Sequence, residues 1–222
     1  IDQNRIERPT LRENGLPKET GWDEILNEAA AKIREAGDKI GVFISPQMSN
    51  EELALAKKLF VGGKFQIFLF SPNPEGDQDE FLIRADKNPN SKGAERLGFA
   101  YDARAVSQFL KDCESQAAEG VIVFGQDLLT RLEARFVEPA FHALKWSVFI
   151  GSNQNLTSER AAYVLPSATY AEKSGTFTNF EGRVQKFTKA FEPLAESRPE
   201  GEILQGLALR LGVQGLEKAG TV

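Results

Sequence analysis

Hydrophobic positions along the chain switch repeatedly between a helical and an extended rhythm. Apolar residues from Trp22, Ile25 and Leu26 to Ile33 recur three and four positions apart, which predicts a helix over about 21–36, with Thr20 or Asp23 as its cap and Gly37 as its stop. The run from Lys39 to Ser45 is short, β-branched and aromatic, and predicts a buried strand. Ser49-Asn50-Glu51-Glu52 then offers a cap and first-turn acids to a helix reaching about Phe60, and Gln66 to Phe70 reads as the next strand. Strand, helix and strand in that order are the pattern of a parallel sheet with crossover helices.

The rhythm loosens between Ser71 and Gly98. Pro72, Pro74 and Pro89, with Gly76, Gly93 and Gly98, predict a loop-rich connection interrupted by a short strand at Phe81 to Arg84. A connection of that length serves contacts or is the trace of a trimmed insertion. Regularity returns with a helix at about 103–117, a strand at 120–124, a helix at 128–144 and a strand at 146–150. Pro139 is expected to kink or end the third of these, since it lacks an amide donor. Tyr163 to Pro166 adds a brief strand. Beyond Ala168 the chain reads as irregular, with extended pieces around Phe177 and Val184, before a closing helix, Glu200 to Leu211, that carries Ile203, Leu204, Leu207 and Leu211 on one face. The expected class is α/β: a Rossmann-like parallel sheet with flanking helices and an irregular C-terminal segment. We read one region, 1–222, with sub-lobes 1–100 and 101–222.

Composition narrows the function. At 222 residues and 41% hydrophobic the chain can bury a substantial core, and a net charge of −5 argues against a phosphate-backbone binder. No apolar run approaches the roughly 20 residues of a membrane span, so direct insertion is not expected. The first fourteen residues resemble neither a secretory signal nor a transit peptide, and the start at Ile1 suggests a processed product or an excised piece. One cysteine, Cys113, and one histidine, His142, cannot make an internal disulfide or a Cys/His metal site, and read as a semi-buried thiol and an ordinary imidazole. The acids Asp77, Asp79 and Glu80, like Glu51 and Glu52, read as solvated. Gly125-Gln126-Asp127 and Gly151-Ser152-Asn153 follow predicted strands, where doubly wound sheets bind ligands, but neither carries a phosphate-loop fingerprint.

One stretch is more specific. Val164-Leu165-Pro166 leads into Glu172-Lys173-Ser174-Gly175-Thr176-Phe177-Thr178-Asn179-Phe180-Glu181-Gly182-Arg183-Val184-Gln185. Gly175 and Gly182 permit tight turns, and Thr176, Asn179 and Arg183 can donate hydrogen bonds to a ligand, to a neighbouring chain or to the loop itself. This stretch resembles a segment of the molybdopterin oxidoreductase superfamily, in the version seen in the large iron–sulfur subunit of respiratory NADH:quinone oxidoreductase. Ser158 to Tyr163, Glu192 to Arg198, Leu207 to Gly212, Arg8 to Gly15 with Gly21 to Ile25, and Asp86 to Ala94 resemble further passages of that family, so the resemblance brackets nearly the whole chain.

What the resemblance implies is a molybdopterin-oxidoreductase-like domain whose upstream iron–sulfur regions lie before Ile1, outside this chain. The chain itself would then hold no cofactor, while the parent subunit carries iron–sulfur clusters. It would support assembly of the peripheral arm beside other arm subunits, including the flavin-bearing NADH-binding one. Its location would be cytoplasmic, or the mitochondrial matrix side in a eukaryote, with membrane association only through the complex. The alternative is the pterin-dinucleotide-binding domain of a molybdenum or tungsten formate dehydrogenase-like oxidoreductase, with Gly175, Thr176, Asn179 and Arg183 lining the cofactor. A third reading is a free-standing α/β small-molecule enzyme or binding protein using the crevice near Gly125 and Gly151.

Overall fold

Three strands of the chain are buried at every position: β3 (Ile40–Ile44), β5 (Gly120–Phe124) and β6 (Trp146–Gly151). Burial on both faces is what central strands of a parallel sheet require, and it explains their predominantly apolar composition, with Ser147 the polar member of β6. In a computed structural model of the protein, which describes residues 4–13, 15–61, 65–71 and 75–216, these strands form the middle of a seven-stranded sheet. The sheet is completed by β1 (Thr10–Glu13), β2 (Leu16–Glu19), β4 (Gln66–Leu69) and β7 (Tyr163–Pro166), in the order β2-β1-β7-β6-β5-β3-β4. Strands β3 to β7 run parallel, and the β1–β2 hairpin adds antiparallel to β7. The fold is therefore α/β with a mostly parallel central sheet, as the sequence rhythm predicts.

Alternation along each strand divides the core in two. Ile40, Val42, Ile44, Ile122, Phe124, Val148 and Ile150 meet α1 (Trp22–Ala36), α2 (Asn50–Phe60) and α8 (Glu200–Leu211) on one face. Phe43, Val121, Val123 and Phe149 meet α4 (Ala103–Glu114) and α6 (Ala134–Ala143) on the other. Phe109 of α4 lies so close to β3 that a methyl group on Gly41 would enter its ring.

Several local expectations hold, and others are corrected. Ser49 caps α2 in a reciprocal box with Glu52, and Gly37 ends α1 at φ +61°. Neither Thr20 nor Asp23 caps α1; Gly21 is the cap residue, and the Thr20 hydroxyl donates to Glu24 at 2.5 Å instead. Pro139 lies inside α6 without ending it. The predicted 128–144 helix breaks earlier, at Leu132 and Glu133, whose extended backbone separates α5 (Leu128–Arg131) from α6.

Phe81 to Arg84 is not a strand, because the Asp79 carboxylate accepts from the backbone N–H of Phe81, Leu82 and Ile83 and winds the segment into a turn. The same connection contains a short helix, α3 (Ser91–Arg96), and a further one, α7 (Leu156–Arg160), precedes β7. The extended pieces near Phe177 and Val184 pair as an antiparallel hairpin, β8 (Gly175–Thr178) and β9 (Val184–Phe187). Among the described residues no helix is long and apolar enough to cross a membrane.

Candidate functional site

The strand order places a topological switch between β3 and β5, the place where an open parallel sheet leaves a crevice at its carboxyl edge. A cleft of about 610 Å³ lies there. Ser45 and Met48 border it after β3, Gly125 after β5, Gly151 at the end of β6 with Ser152 just beyond, and Ser167 to Tyr170 after β7. Phe124, Phe149 and Phe177 supply apolar wall, and Lys173 and Glu200 supply charge. Gly125 has φ +63°, a turn that L side chains rarely adopt, so the pattern of a glycine just after β5 reflects a backbone need. Both strand-end turns singled out in the sequence thus reach one cleft. Gln126 is buried beside it with neither amide atom hydrogen-bonded, and does not line it.

The four residues offered for a pterin dinucleotide do not converge on that cleft. Gly175 approaches α2 so closely that a methyl group there would lie 2.9 Å from the Ser49 Cβ and 3.0 Å from a Glu51 oxygen. Thr176 donates its backbone N–H and its hydroxyl to the Glu51 carboxylate at 2.9 and 2.7 Å, and its hydroxyl accepts from Asn50 at 3.0 Å. Asn179 turns its carbonyl back to accept from the N–H of Glu181 and Arg183, and Arg183 is exposed. Thr178 and Asn90 extend the seam: the Thr178 N–H donates to Asn90, whose amide donates to the Met48 carbonyl. Thr176 thus gives its donors to Glu51, and Thr178 gives its own to Asn90 and Asn50, while Arg183 is exposed.

Beneath the cleft the chain buries more charge than its sequence advertises. Lys173 follows a single 3-10 turn, Tyr170–Glu172, and its Nζ donates to both Glu52 oxygens at 2.9 and 2.8 Å and to Glu200 at 2.5 Å. The side chains are 4, 5 and 13% exposed, so Glu52 is not the solvated acid its helix-start position suggests. Two carboxylates share one ammonium. Burial and the negative Glu52 push the Glu200 carboxyl up to about 7, against the pull of Lys173. Burial also raises Glu52, but the charge and hydrogen bonds of Lys173 and the Ser49 N–H outweigh it and hold that carboxyl low. Lys173, disfavoured by burial, is held charged by the two acids.

Immediately before it, Glu172 is gripped by Arg5 through two bonds of 3.1 and 2.9 Å and accepts from Thr169 and the Leu194 N–H. Burial raises this carboxyl too, yet the Arg5 and Thr169 bonds win and leave it low. Cys113 is fully rather than partly buried, and burial pushes its thiol up to about 12, which leaves no thiolate at neutral pH; His142 is exposed. Among the described residues no group of three His, Cys, Asp or Glu side chains could hold a metal ion.

A proton on Glu200 gives the first prediction. Its folded pKa lies above the unfolded value, so its stabilising contribution is full below about pH 4 and is lost as pH rises through about 7. Wild-type stability should therefore fall between pH 5 and pH 8, by on the order of 1–3 kcal/mol at about 1.4 kcal/mol per pKa unit. Glu200→Gln should remove most of that fall and be the more stable protein at pH 8. Urea midpoints at the two pH values read this directly; a flat wild-type profile would contradict it.

The sequence profile of the molybdopterin oxidoreductases matches residues 5–73 and 90–210, most of the chain. The chain belongs to the molybdopterin oxidoreductase family. Relatives include a Staphylococcus aureus protein assigned by name to the formate dehydrogenases, 38% identical over 91 residues, and a Staphylococcus haemolyticus protein of the same name, 32% identical over 106 residues. Those stretches are 40% and 47% of this chain, but only 9% and 11% of the two relatives. Among solved structures, acetylene hydratase from Pelobacter acetylenicus aligns with a TM-score of 0.46 at 18% identity, over 52% of this chain and 16% of that one. This molybdopterin oxidoreductase-family chain thus spans a small part of the curated relatives' length.

Sequence reasoning had named the glycine turns of the cleft and the Gly175 to Arg183 stretch. It missed Arg5, Glu172, Lys173, Glu52 and Glu200 as a buried set. The one available signal was that Glu172 and Lys173 lie inside the family-like stretch, because an irregular segment has no periodicity from which to infer burial.

Proposed function

We propose that this chain is a cofactor-free packing lobe of a larger oxidoreductase of the molybdopterin family, and that the parent is the large iron–sulfur subunit of an NADH:quinone oxidoreductase. One observation carries the cofactor-free part: Thr176 spends its backbone N–H and its hydroxyl on Glu51, clamping β8 to α2, and the Asn179 side-chain carbonyl accepts from its own turn. The cleft agrees with this. Its described lining contains no arginine; of its lysines, Lys173 is committed to two carboxylates and Lys87 donates to the Asp77 and Arg84 carbonyls, so an anionic dinucleotide would find its cations already engaged. The parent's identity rests on the sequence resemblance of the Glu172 to Gln185 stretch and its flanking passages. On this reading the lobe stabilises the NADH-oxidising peripheral arm, beside the flavin-bearing subunit, and electron transfer belongs to clusters elsewhere in the parent.

The staphylococcal relatives favour a second reading, a domain of a formate dehydrogenase-like enzyme that holds a pterin dinucleotide. The cleft has the volume for a sizeable ligand, and its strand-end position suits one. Under that reading Gly125, Gly151 and Ser152 would approach the group by backbone, and the bound group would supply the redox chemistry.

Metal and pterin analysis of the parent protein purified from its native cells, with co-purifying subunits identified, separates the two. We expect iron, NADH-oxidising partners and no molybdenum, tungsten or pterin. Stoichiometric pterin with either metal would establish the second reading and end the first.

A further inference from the structure

The connection between β4 and α3 presents three consecutive large apolar side chains to solvent. Phe81 is 82% exposed, Leu82 90% and Ile83 49%. A soluble surface rarely carries such a run without use. The segment is also held in shape. Asp79 accepts from three successive backbone N–H groups at 2.9, 2.7 and 2.8 Å, and those bonds, led by the one from Ile83, pull its carboxyl below the usual range. Two backbone bonds, Asp79 N–H to the Ile83 carbonyl and Gly76 N–H to the Ala85 carbonyl, close the turn from both sides. Lys87 reaches the carbonyls of Asp77 and Arg84, and the Arg84 guanidinium lies 4.2 Å from the centre of the Phe180 ring on the β8–β9 hairpin. An apolar tip fixed this way loses little conformational entropy when it is covered.

Two further observations say what covers it. The family profile matches up to residue 73 and resumes at 90, so the tip lies outside the stretches that match the family. The arm leading to the tip carries the exposed acids Glu75, Asp77 and Glu80. Acids beside an apolar tip disfavour an anionic lipid surface and favour a protein surface with basic side chains at its edge.

We propose that this loop is a docking plug: Phe81, Leu82 and Ile83 enter an apolar pocket on a different protein subunit, whose rim places Lys or Arg side chains against Glu75, Asp77 and Glu80. The proposal deepens the packing-lobe reading, on which it rests for the existence of an assembly. The acids steer the encounter and the apolar tip holds it, so added salt slows association more than it speeds release.

The test uses the parent protein in its assembled complex, purified from its native cells, with a photoreactive benzoylphenylalanine in place of Phe81. Irradiation should join residue 81 to a peptide of a different subunit that contains both apolar residues and Lys or Arg. The double variant Phe81→Ser/Leu82→Ser, which alters only exposed side chains, should lower recovery of that subunit at least tenfold. Crosslinks confined to this chain, to a second copy of it or to lipid would overturn the proposal, as would a double variant that keeps the subunit at wild-type stoichiometry. Deleting the whole lobe distinguishes the two ideas. Assembly lost on deletion but intact in the double variant sinks the plug alone, whereas assembly intact on deletion sinks the packing-lobe reading beneath it.

Discussion

Lys173→Met is expected to destabilise the protein by about 3–5 kcal/mol at pH 8, the range for removing one partner of a buried ion pair. Lys173 lies between Glu52 of α2 and Glu200 of α8 and pairs with both, all three almost out of water. Methionine is unbranched and only one atom shorter than lysine, so the loss reports mainly on charge. It leaves two carboxylates facing each other in low dielectric, with only the Ser49 N–H and the start of α2 to compensate Glu52. The defect should be smaller at pH 5, because Glu200 then carries a proton and only one charge remains to be accommodated. Adding Glu200→Gln to Lys173→Met should accordingly restore about half of the loss at pH 8. Urea denaturation at the two pH values measures all of this, and a loss under about 1 kcal/mol at pH 8 would mean that the three side chains do not form the cluster.

That cluster also shows where sequence legibility ends. The sheet was readable because β3, β5 and β6 are short, largely apolar runs whose period-two alternation feeds two faces, and α1 and α8 because their apolar stripes recur at helical spacing. The β1–β2 hairpin was not readable. Leu16 to Glu19 is exposed throughout and includes a proline, so pairing with β1, not composition, makes it a strand. Asp79 defeated the strand expected at Phe81 to Arg84 by a side-chain competition for backbone donors that no periodicity records. In α6, the position of Pro139 said less than the extended backbone of Leu132 and Glu133, which breaks the helix upstream.

For the candidate site, glycine was the informative residue type. Gly125 and Gly151 marked the ends of parallel strands, and the sheet order brings those ends to a common cleft. Charge was the misleading one. Glu51 and Glu52 are neighbours at a helix start, yet one seals Thr176 and the other is buried against Lys173, more than a hundred residues away. Partners at such separation leave no mark in local sequence. The hydrogen-bonding potential of Thr176 and Asn179 was legible, but not its direction, which depends on which element packs beside the hairpin.

Arg5→Met should cost about 3–4 kcal/mol, somewhat less than Lys173→Met, because Glu172 would still accept from Thr169 and from the Leu194 N–H. Arg5 joins three parts of the chain: its own N-terminal segment, the Ser152 carbonyl at the end of β6 through a 3.1 Å bond, and the turn that carries Glu172 and Lys173. The pH dependence should run opposite to that of Glu200. Glu172 has a folded pKa below its unfolded value, so its contribution is present above about pH 4.3 and is lost as pH falls through the folded value. The difference between wild type and Arg5→Met should therefore be full at pH 7 and shrink in acid, and Glu172→Gln in the Arg5→Met background should recover part of it at pH 7. Since Ser152 borders the cleft, amide exchange at 151–153 should quicken in Arg5→Met while that of the central strand β5 follows only the global loss. A uniform change across both segments would show that Arg5 contributes to overall stability without setting the shape of the cleft edge.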